Sequence, residues 1–169
     1  MKMVEKIKLY IDGKVYEIPQ GGTLEEIADE YGKEHNKIIL GARINNTIVE
    51  LFRPINRSGE VTFITLDSQD GMRIYQRGLL FILHASVRKV FRDYTLKVLH
   101  TIGHGIYCEI RDNNTPVNLS EDDIKAIRDE MYQWVKGDYR FKKNELQKSQ
   151  AMTLFDAAGM EDKVKLLKY

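Results

Sequence analysis

The chain has 169 residues, 43% hydrophobic and 30% charged, so it is long enough for one ordinary hydrophobic core or two small ones. Its formal net charge is +1, and its one cysteine, Cys108, excludes an intramolecular disulfide framework and fits a reducing compartment. The longest purely apolar run, Leu79 to Leu83, is far shorter than the roughly 20 residues of a membrane span, and no secretion signal is visible. We therefore expect a cytoplasmic protein with no membrane partner.

The charge is unevenly distributed along the chain. Residues 1–70 carry 9 lysines and arginines against 12 acids, whereas residues 71–169 carry 17 against 13. Residues 72–104 contain one acidic residue, Asp93, and six basic ones, which are Arg73, Arg77, Arg88, Lys89, Arg92 and Lys97. A local patch of this kind can matter even in a nearly neutral protein.

The first 66 residues are predicted to form a small mixed domain. Residues 6–18 alternate apolar and polar around Asp12-Gly13, which is a strong hairpin signal. Thr23 with Glu26 three residues later predicts a capping box that opens a short helix. Residues 38–50 and 60–66 are predicted strands, connected through a turn at Asn45-Asn46 and a loop around Pro54 and Ser58-Gly59. A hairpin, a helix and further strands in this order indicate a β-grasp fold.

A long helix is predicted from Met72 to about Phe91. At 100° per residue, its apolar side chains cluster on one face and its basic ones on another. The predicted apolar face contains Met72, Leu79, Leu83, Val87 and Val90, and the cationic stripe contains Arg73, Arg77, His84, Arg88 and Arg92.

The remaining residues predict a strand and two helices. Residues 95–110 have the pattern of one strand. Ser120 with Asp123 predicts a capped helix that buries Ile124, Ile127, Met131 and Trp134 or Val135 and ends at Lys136-Gly137. A shorter helical pattern at 145–158 ends at Gly159.

Two stretches carry a resemblance to a known domain. The sequences GARINNTIVELFRPI (41–55) and EVTFITLDSQDG (60–71) resemble the TGS domain, a ubiquitin-like β-grasp module. TGS domains occur beside synthetases, GTPases and stringent-response enzymes, so this resemblance alone leaves the function open.

The second part of the chain resembles the N-terminal editing region of threonyl-tRNA synthetase. The matching stretches are GIYCEI (105–110), LSEDDIKAIRDEM (119–131) and AMTLFDAAGMEDKVKLL (151–167). Together the two resemblances imply an α+β fold with a TGS-like domain at 1–70 and an editing-like α+β domain at 71–169. The second domain is expected to be incomplete, because the family's Cys-x-x-x-His half of the editing site lies beyond the equivalent of Tyr169.

The resemblance also implies that the editing chemistry is absent. The family's His-x-x-x-His pair falls at Arg77 and Phe81, its pocket tyrosine falls at Cys108, and its lysine falls at Lys163. Hydrolysis needs polar groups that position a water, and phenylalanine supplies none. We therefore assign no catalytic residue. Phe81 either lines the remnant of the pocket beside Arg77 or packs between the domains.

The cationic stripe allows two interpretations. Arginine offers a planar fork that suits phosphate, so the stripe could bind a nucleotide or RNA. It could equally be a solvated helix face or contact the acidic first domain. The candidate ligand-binding residues are Arg73, Arg77, Phe81, His84, Arg88, Arg92, Cys108 and Lys163.

A weak metal site is suggested by His100, His104 and Cys108, which fall on one side of a strand. Residues eight apart on a straight strand are about 26 Å apart, too far for one ion, so such a site would need His100 and His104 on a bent chain with another ligand. We assign no metal, and strand-face histidines that line a pocket are the simpler interpretation.

A TGS domain followed by an editing-like region without its histidine pair also resembles the N-terminal part of bacterial nucleoside kinases of the uridine kinase type. This resemblance implies a non-catalytic recognition or regulatory region that binds nucleoside, nucleotide or RNA. The chain itself contains no phosphate-binding loop and no cofactor motif. ATP and magnesium are therefore expected only in a downstream P-loop kinase domain, which would make the parent protein an ATP-dependent transferase. The alternative is a hydrolase that removes mischarged amino acids from tRNA in trans.

Overall fold

The structure is a computed structural model that describes residues 5–103 and 105–168. The chain divides into two compact units between Tyr132 and Gln133. The strands are β1 (Lys6–Ile11), β2 (Lys14–Pro19), β3 (Ile39–Ile44), β4 (Thr47–Val49), β5 (Gly59–Thr65), β6 (Tyr94–Ile102), β7 (Gly105–Asp112) and β8 (Thr115–Pro116). The helices are α1 (Glu25–His35), α2 (Gln69–Val90), α3 (Glu121–Lys136), α4 (Lys148–Ala157) and α5 (Glu161–Lys168).

The first five strands form one sheet in the order β2-β1-β5-β3-β4. The central strands β1 and β5 are parallel, with Leu9 opposite Gly59, and the other pairs are antiparallel. Both predicted tight turns are present: the φ angles of Asp12 and Gly13 are +47° and +78°, and those of Asn45 and Asn46 are +45° and +69°. Left-handed residue pairs of this type match the twist of a β-hairpin. The predicted α+β class with an N-terminal β-grasp domain is confirmed.

The core of this domain follows directly from the alternation along β1. Alternate residues of that strand are buried, and the intervening ones are exposed. Leu9, Ile11 and Val61 from the sheet pack with Leu24 and Ile27, which lie at and after the start of α1. Burying side chains of this size contributes about 1.5–3 kcal/mol each.

The predicted capping box at the start of α1 is wrong. The helix begins at Glu25 with Leu24 as its N-cap residue, and no side chain caps it. Leu24 is fully buried, and its backbone N–H donates to the carbonyl of Leu51 at 2.9 Å. The core therefore fixes the start of the helix, and Thr23 lies one position too early to cap it.

The long helix α2 is present, but its predicted apolar face is only partly correct. Val87 is fully buried, whereas Met72 and Leu79 are 44% and 36% exposed. Besides Val87, the buried positions are Gly71 and Ser86, which were not predicted, because the helix packs against β3, β5 and β6. The prediction assumed one buried face along the whole helix, and a single face cannot describe a helix that packs against different strands along its length.

The predicted single strand at 95–110 is also wrong. Those residues form an antiparallel hairpin of β6 and β7, which β8 extends to a three-stranded sheet in the order β6-β7-β8. Gly103 sits at the turn with φ +59°, a conformation that glycine adopts without a steric penalty.

The remaining helices follow the sequence prediction more closely. Ser120 and Asp123 form the predicted reciprocal cap of α3, with the Asp123 N–H donating to Ser120 Oγ at 3.2 Å. Ile127 is buried as predicted, whereas Ile124 and Val135 are 52% and 59% exposed.

The second unit contains the end of α3 together with α4 and α5. Helix α4 ends before Gly159, which has φ +68°, and α5 was not predicted. The division into domains at residue 70 stays a prediction. None of the helices in the described ranges is long and apolar enough to span a membrane.

Candidate functional site

Helix α2 carries most of the candidate residues, and its first turn is fixed tightly to the end of β5. Ser68 is the N-cap residue: its Oγ accepts a hydrogen bond from the Gly71 N–H at 3.0 Å and donates one to the Thr65 carbonyl at 2.7 Å. A Cβ at Gly71 would lie 1.9 Å from the Thr65 carbonyl oxygen, so only glycine fits there. The β-grasp sheet therefore sets the direction in which the cationic side chains of α2 project.

Asp70 partly neutralises the first cation of the predicted stripe. Its carboxylate accepts a 2.6 Å hydrogen bond from Arg43 Nη2 on β3 and lies 3.5 Å from Arg73 Nη1. Arg73 thus belongs to an ion-pair network that joins the sheet to the helix, which makes it a weaker candidate for anion binding.

The other cations of the stripe are spread along one helix. Arg77 is exposed, His84 and Arg88 are half-buried, and Arg92 is exposed in the turn that follows the helix. Arg77 and Arg88 are 11 residues apart, which is about 16 Å along the axis. Such an array could contact an extended polyanion at successive phosphates.

Phe81 is 65% exposed, so it is not a core residue. It follows Arg77 by four residues, so the two residues lie on the same face of α2. A cavity of about 400 Å³ lies against this helix, but its lining includes neither Arg77 nor Phe81 among the described residues. The predicted cleft between Arg77, Phe81, Cys108 and Lys163 thus remains a prediction.

That cavity is formed by β6, β7, the loop after β8, α3 and Leu83 of α2. It is lined mainly by apolar side chains, which include Leu83, Leu96, Ile110, Ile127 and Met131. Cys108, Glu109, Asn118 and Arg128 supply its polar groups. It therefore suits a small, largely apolar group better than a phosphate.

Cys108 is a poor nucleophile in this environment. Burial raises the pKa of its thiol, and Sγ lies 3.9 Å from the carbonyl oxygen of Ile106. The thiol is therefore protonated at neutral pH, and a protonated thiol neither attacks an ester nor binds a metal well.

The described residues do not support the weak metal site. His100 lies opposite Tyr107 in the hairpin, with ring centroids 5.4 Å apart, whereas Cys108 lies opposite Val98. No group of three potential metal ligands occurs in residues 5–103 and 105–168. His104 lies outside the described residues.

Lys163 lies on α5 in the second unit, where its Nζ is 3.1 Å from a carboxylate oxygen of Asp162. This pair is exposed, since the two side chains are 51% and 74% accessible. Its role as the surviving lysine of an editing pocket remains a prediction.

Sequence reasoning overlooked a second basic surface, at residues 136–148. Exposed Tyr139 and Phe141 alternate there with Arg140, Lys142 and Lys143. The interleaving of aromatic and basic residues is visible in the sequence, whereas their exposure is visible only in the structure.

Comparison with known proteins identifies the first domain and the relatives of the chain. Residues 6–65 match the TGS domain family and form a TGS domain. The threonine–tRNA ligase of Caldanaerobacter subterraneus is 30% identical over 156 residues, which cover 92% of this chain and 24% of the ligase. The ligases of Aquifex aeolicus and Bacillus subtilis (ligase 1) are 28% and 26% identical, each over 98% of this chain and 25% of its own length. The chain is thus homologous to threonyl-tRNA synthetases and spans about a quarter of their length.

These relatives overturn the nucleoside kinase interpretation. Proteins that align with 85–98% of the chain are threonine–tRNA ligases, so the uridine kinase-type parent, its P-loop kinase domain and its nucleoside or nucleotide ligand are wrong. The expectation of ATP and magnesium rested on that kinase and loses its basis. Arg77 and Phe81 depart from the family pattern at one site, whereas the similarity to the ligases extends over nearly the whole chain.

Proposed function

We propose that this chain is a tRNA-directed module of the threonine–tRNA ligase class, and that it handles aminoacylated tRNA in the cytoplasm. The observation that carries this proposal is the alignment of the chain, over nearly its full length, with the ligases named above. Joining threonine to tRNA is an activity of relatives four times as long, so we assign to this chain contact with the tRNA and not the ligation.

The charge distribution supports a tRNA ligand. The surface of α2 presents exposed Arg77, half-buried Arg88 and, just beyond the helix, exposed Arg92, while the chain as a whole is almost neutral. A polyanion attracted to such a patch releases condensed counterions, which supplies binding free energy without a specific base contact. Phe81 adds an exposed ring next to Arg77, on which an unpaired base can stack.

Within this class, hydrolysis of mischarged tRNA is the second candidate. It is favoured by the resemblance of residues 105–110, 119–131 and 151–167 to the editing region of the synthetases. The chemistry at α2 weighs against it, because Arg77 can stabilise negative charge but neither it nor Phe81 can activate a water. The module therefore binds tRNA, and hydrolysis would require a base other than the family's histidine pair.

Binding to tRNA tests the main proposal. Purified chain would be titrated with labelled threonine-specific tRNA between about 50 and 200 mM salt, where we expect the affinity to fall steeply. A DNA duplex of similar charge serves as the control for general attraction to polyanions. Equal affinity for the two, or no binding to tRNA, contradicts the proposal.

Deacylation distinguishes the second candidate. Threonine-specific tRNA charged with serine or with threonine would be incubated with the chain, and the remaining ester would be measured over time. Selective loss of serine would establish hydrolysis, and equal spontaneous rates with and without protein would restrict the module to binding.

A further inference from the structure

The segment of residues 136–148 has a composition and exposure unlike the rest of the second unit. It contains five basic residues, Lys136, Arg140, Lys142, Lys143 and Lys148, against two acids, Asp138 and Glu145. Every one of its residues is exposed, including two large aromatic rings: Tyr139 is 68% and Phe141 is 56% accessible. Exposed aromatic rings grouped with cationic side chains mark this surface as a candidate ligand-binding site. We call residues 136–148 the aromatic–basic segment.

The ring of Tyr139 is held in place by the end of α3. Trp134, on the last turn of that helix, meets it edge-on with centroids 5.3 Å apart and planes at 66°. Gly137 lies directly under the ring, since a Cβ there would be 2.3 Å from a ring carbon of Tyr139. Asp138 takes the left-handed conformation, with φ +48°, and turns the chain back over the helix. The ring is therefore preorganised, which lowers the entropy cost of stacking a ligand on it.

The chain from Tyr139 to Gln147 is irregular, with neither helix nor strand before α4 begins at Lys148. Aromatic and basic residues alternate in its sequence, since Tyr139 and Phe141 are interleaved with Arg140, Lys142 and Lys143. All five residues are exposed, so rings and cations occur at successive positions along the surface of the chain. A polymer with an anion and a flat ring in each repeat matches this arrangement, and single-stranded nucleic acid is such a polymer.

We propose that the aromatic–basic segment binds single-stranded RNA, with bases stacked on Tyr139 and Phe141 and phosphates contacted by Lys142 and Lys143. Duplex RNA fits less well, because its bases are already stacked on one another and cannot cover the rings. The identification of the physiological ligand as an unpaired part of tRNA rests on the proposed function, whereas the binding itself does not.

Replacing the two rings tests the stacking. The full chain would be titrated with a fluorescein-labelled single-stranded RNA of about 12 nucleotides and with the corresponding duplex. Tyr139→Ala and Phe141→Ala should each weaken binding of the single strand at least about fivefold and leave binding of the duplex nearly unchanged. Tyr132→Ala is the matched control, since Tyr132 is an equally exposed ring, 65% accessible, that lies outside the segment.

A second variant tests whether the position of the Tyr139 ring matters, and not only its presence. Gly137→Ala keeps every aromatic and basic residue but places a methyl group where the ring of Tyr139 now lies. It should weaken binding of the single strand to about the same extent as Tyr139→Ala. Circular dichroism of each variant would confirm that the fold is retained.

The lysines are tested by the salt dependence. Lys142→Ala with Lys143→Ala should lower the slope of log affinity against log salt by about 1.4, because each phosphate contact to a single strand contributes about 0.7. Lys165→Ala with Lys168→Ala on α5 removes the same charge from the same unit and should leave the slope unchanged.

The outcomes separate this inference from the proposed function. Single-stranded RNA binding that survives the double variant Tyr139→Ala with Phe141→Ala overturns the inference, as does equal binding of duplex and single strand. Binding to vesicles with anionic lipid but not to RNA, lost in the same double variant, overturns it in favour of a membrane surface. If the RNA oligonucleotide binds as expected but tRNA does not, the inference stands and the proposed function fails. If the double variant loses binding of the RNA oligonucleotide but keeps binding of tRNA, the segment is a single-strand site as inferred, and its assignment to an unpaired part of tRNA is wrong.

Discussion

Arg43 on β3 and Asp70 in the first turn of α2 are joined by a 2.6 Å hydrogen bond between Nη2 and a carboxylate oxygen. The two side chains are 40% and 28% exposed, so this pair is partly shielded from solvent. It connects the β-grasp sheet to the helix that carries the cationic residues. Arg43 Nε is buried and has no hydrogen-bond partner among the described residues, which leaves the guanidinium dependent on Asp70.

Removing Asp70 should therefore destabilise the protein. We expect Asp70→Ala to lower the free energy of unfolding by about 1–2 kcal/mol, because a charge-assisted hydrogen bond and a favourable charge at the helix N-terminus are both lost. Urea denaturation followed by circular dichroism measures the change. Asp129→Ala, which breaks the exposed 2.8 Å pair with Lys125, is the control and should cost less than about 0.5 kcal/mol. Equal losses in the two variants would mean that the Arg43 pair is only a surface contact.

Two glycines on α2 should respond oppositely to the same substitution. Gly71→Ala places a methyl group 1.9 Å from the Thr65 carbonyl oxygen and should destabilise the fold by more than about 2 kcal/mol. Gly78→Ala meets no atom within 4 Å and should stabilise the helix by about 0.5–1 kcal/mol. Thermal unfolding of both variants measures the difference. Similar melting temperatures would show that α2 does not press against the end of β5.

Cys108 should be unreactive near neutral pH. Burial raises the pKa of its thiol, so alkylation by iodoacetamide should be slow at pH 8 and should accelerate only above the pH range of an ordinary thiol. As the only cysteine in the chain, it can be followed by mass increase alone. The urea-unfolded chain is the control and should react at the rate of a free thiol. Equal rates in the folded and unfolded chains would place Cys108 at the surface.

The same raised pKa has a consequence for stability. The folded state holds the thiol proton more tightly than the unfolded state, so the contribution of Cys108 to stability is fully present below the unfolded pKa. It is lost as the pH rises through the raised pKa of the folded state. Urea denaturation between about pH 8 and 11 should therefore show a steeper decline for the natural chain than for Cys108→Ala. Parallel curves would show that the thiol titrates alike in both states.

The cations of α2 should contribute to tRNA binding. Arg77→Ala with Arg88→Ala should weaken the affinity for tRNA and lower the slope of log affinity against log salt by up to about 2, since each phosphate contact contributes roughly 0.7–0.9. Lys165→Ala with Lys168→Ala on α5 removes the same charge elsewhere and is the control. An unchanged slope in the α2 variant would identify the stripe as a solvated helix face.

Sequence signals predicted the structure well at turns and at one helix cap, where the conformation depends mainly on neighbouring residues. Asp12-Gly13 and Asn45-Asn46 form the expected turns because their left-handed conformations depend on few distant contacts. The cap at Ser120 is equally local. By contrast, the buried face of α2 depends on how the helix packs against β3, β5 and β6, which the pattern within the helix does not determine. No periodicity within the helix could show that Ser86 is buried while Met72 is exposed.

The site was less predictable than the fold for a related reason. Helical spacing predicts that Arg77 and Phe81 share a face, but it could not show that the cavity beside the helix is lined by Leu83 and Cys108. The hairpin at Gly103 similarly changed the relation of His100 to Cys108, since it pairs His100 with Tyr107 and Cys108 with Val98. A strand pattern does not reveal where the strand turns. A cavity forms where tertiary packing leaves space between side chains, and the pattern of a single helix or strand does not predict that packing.

The central position of β5 constrains the order in which the first domain can fold. The hairpins β1–β2 and β3–β4 close over two-residue turns, and hairpins of this kind form within about 1–10 μs. Neither contacts the other in the sheet, because β5 lies between β1 and β3. The Leu9–Gly59 pairing joins residues fifty positions apart, so loop closure delays the step that unites the two hairpins. During synthesis, therefore, the sheet stays in two separate halves until the residues up to Thr65 have been made.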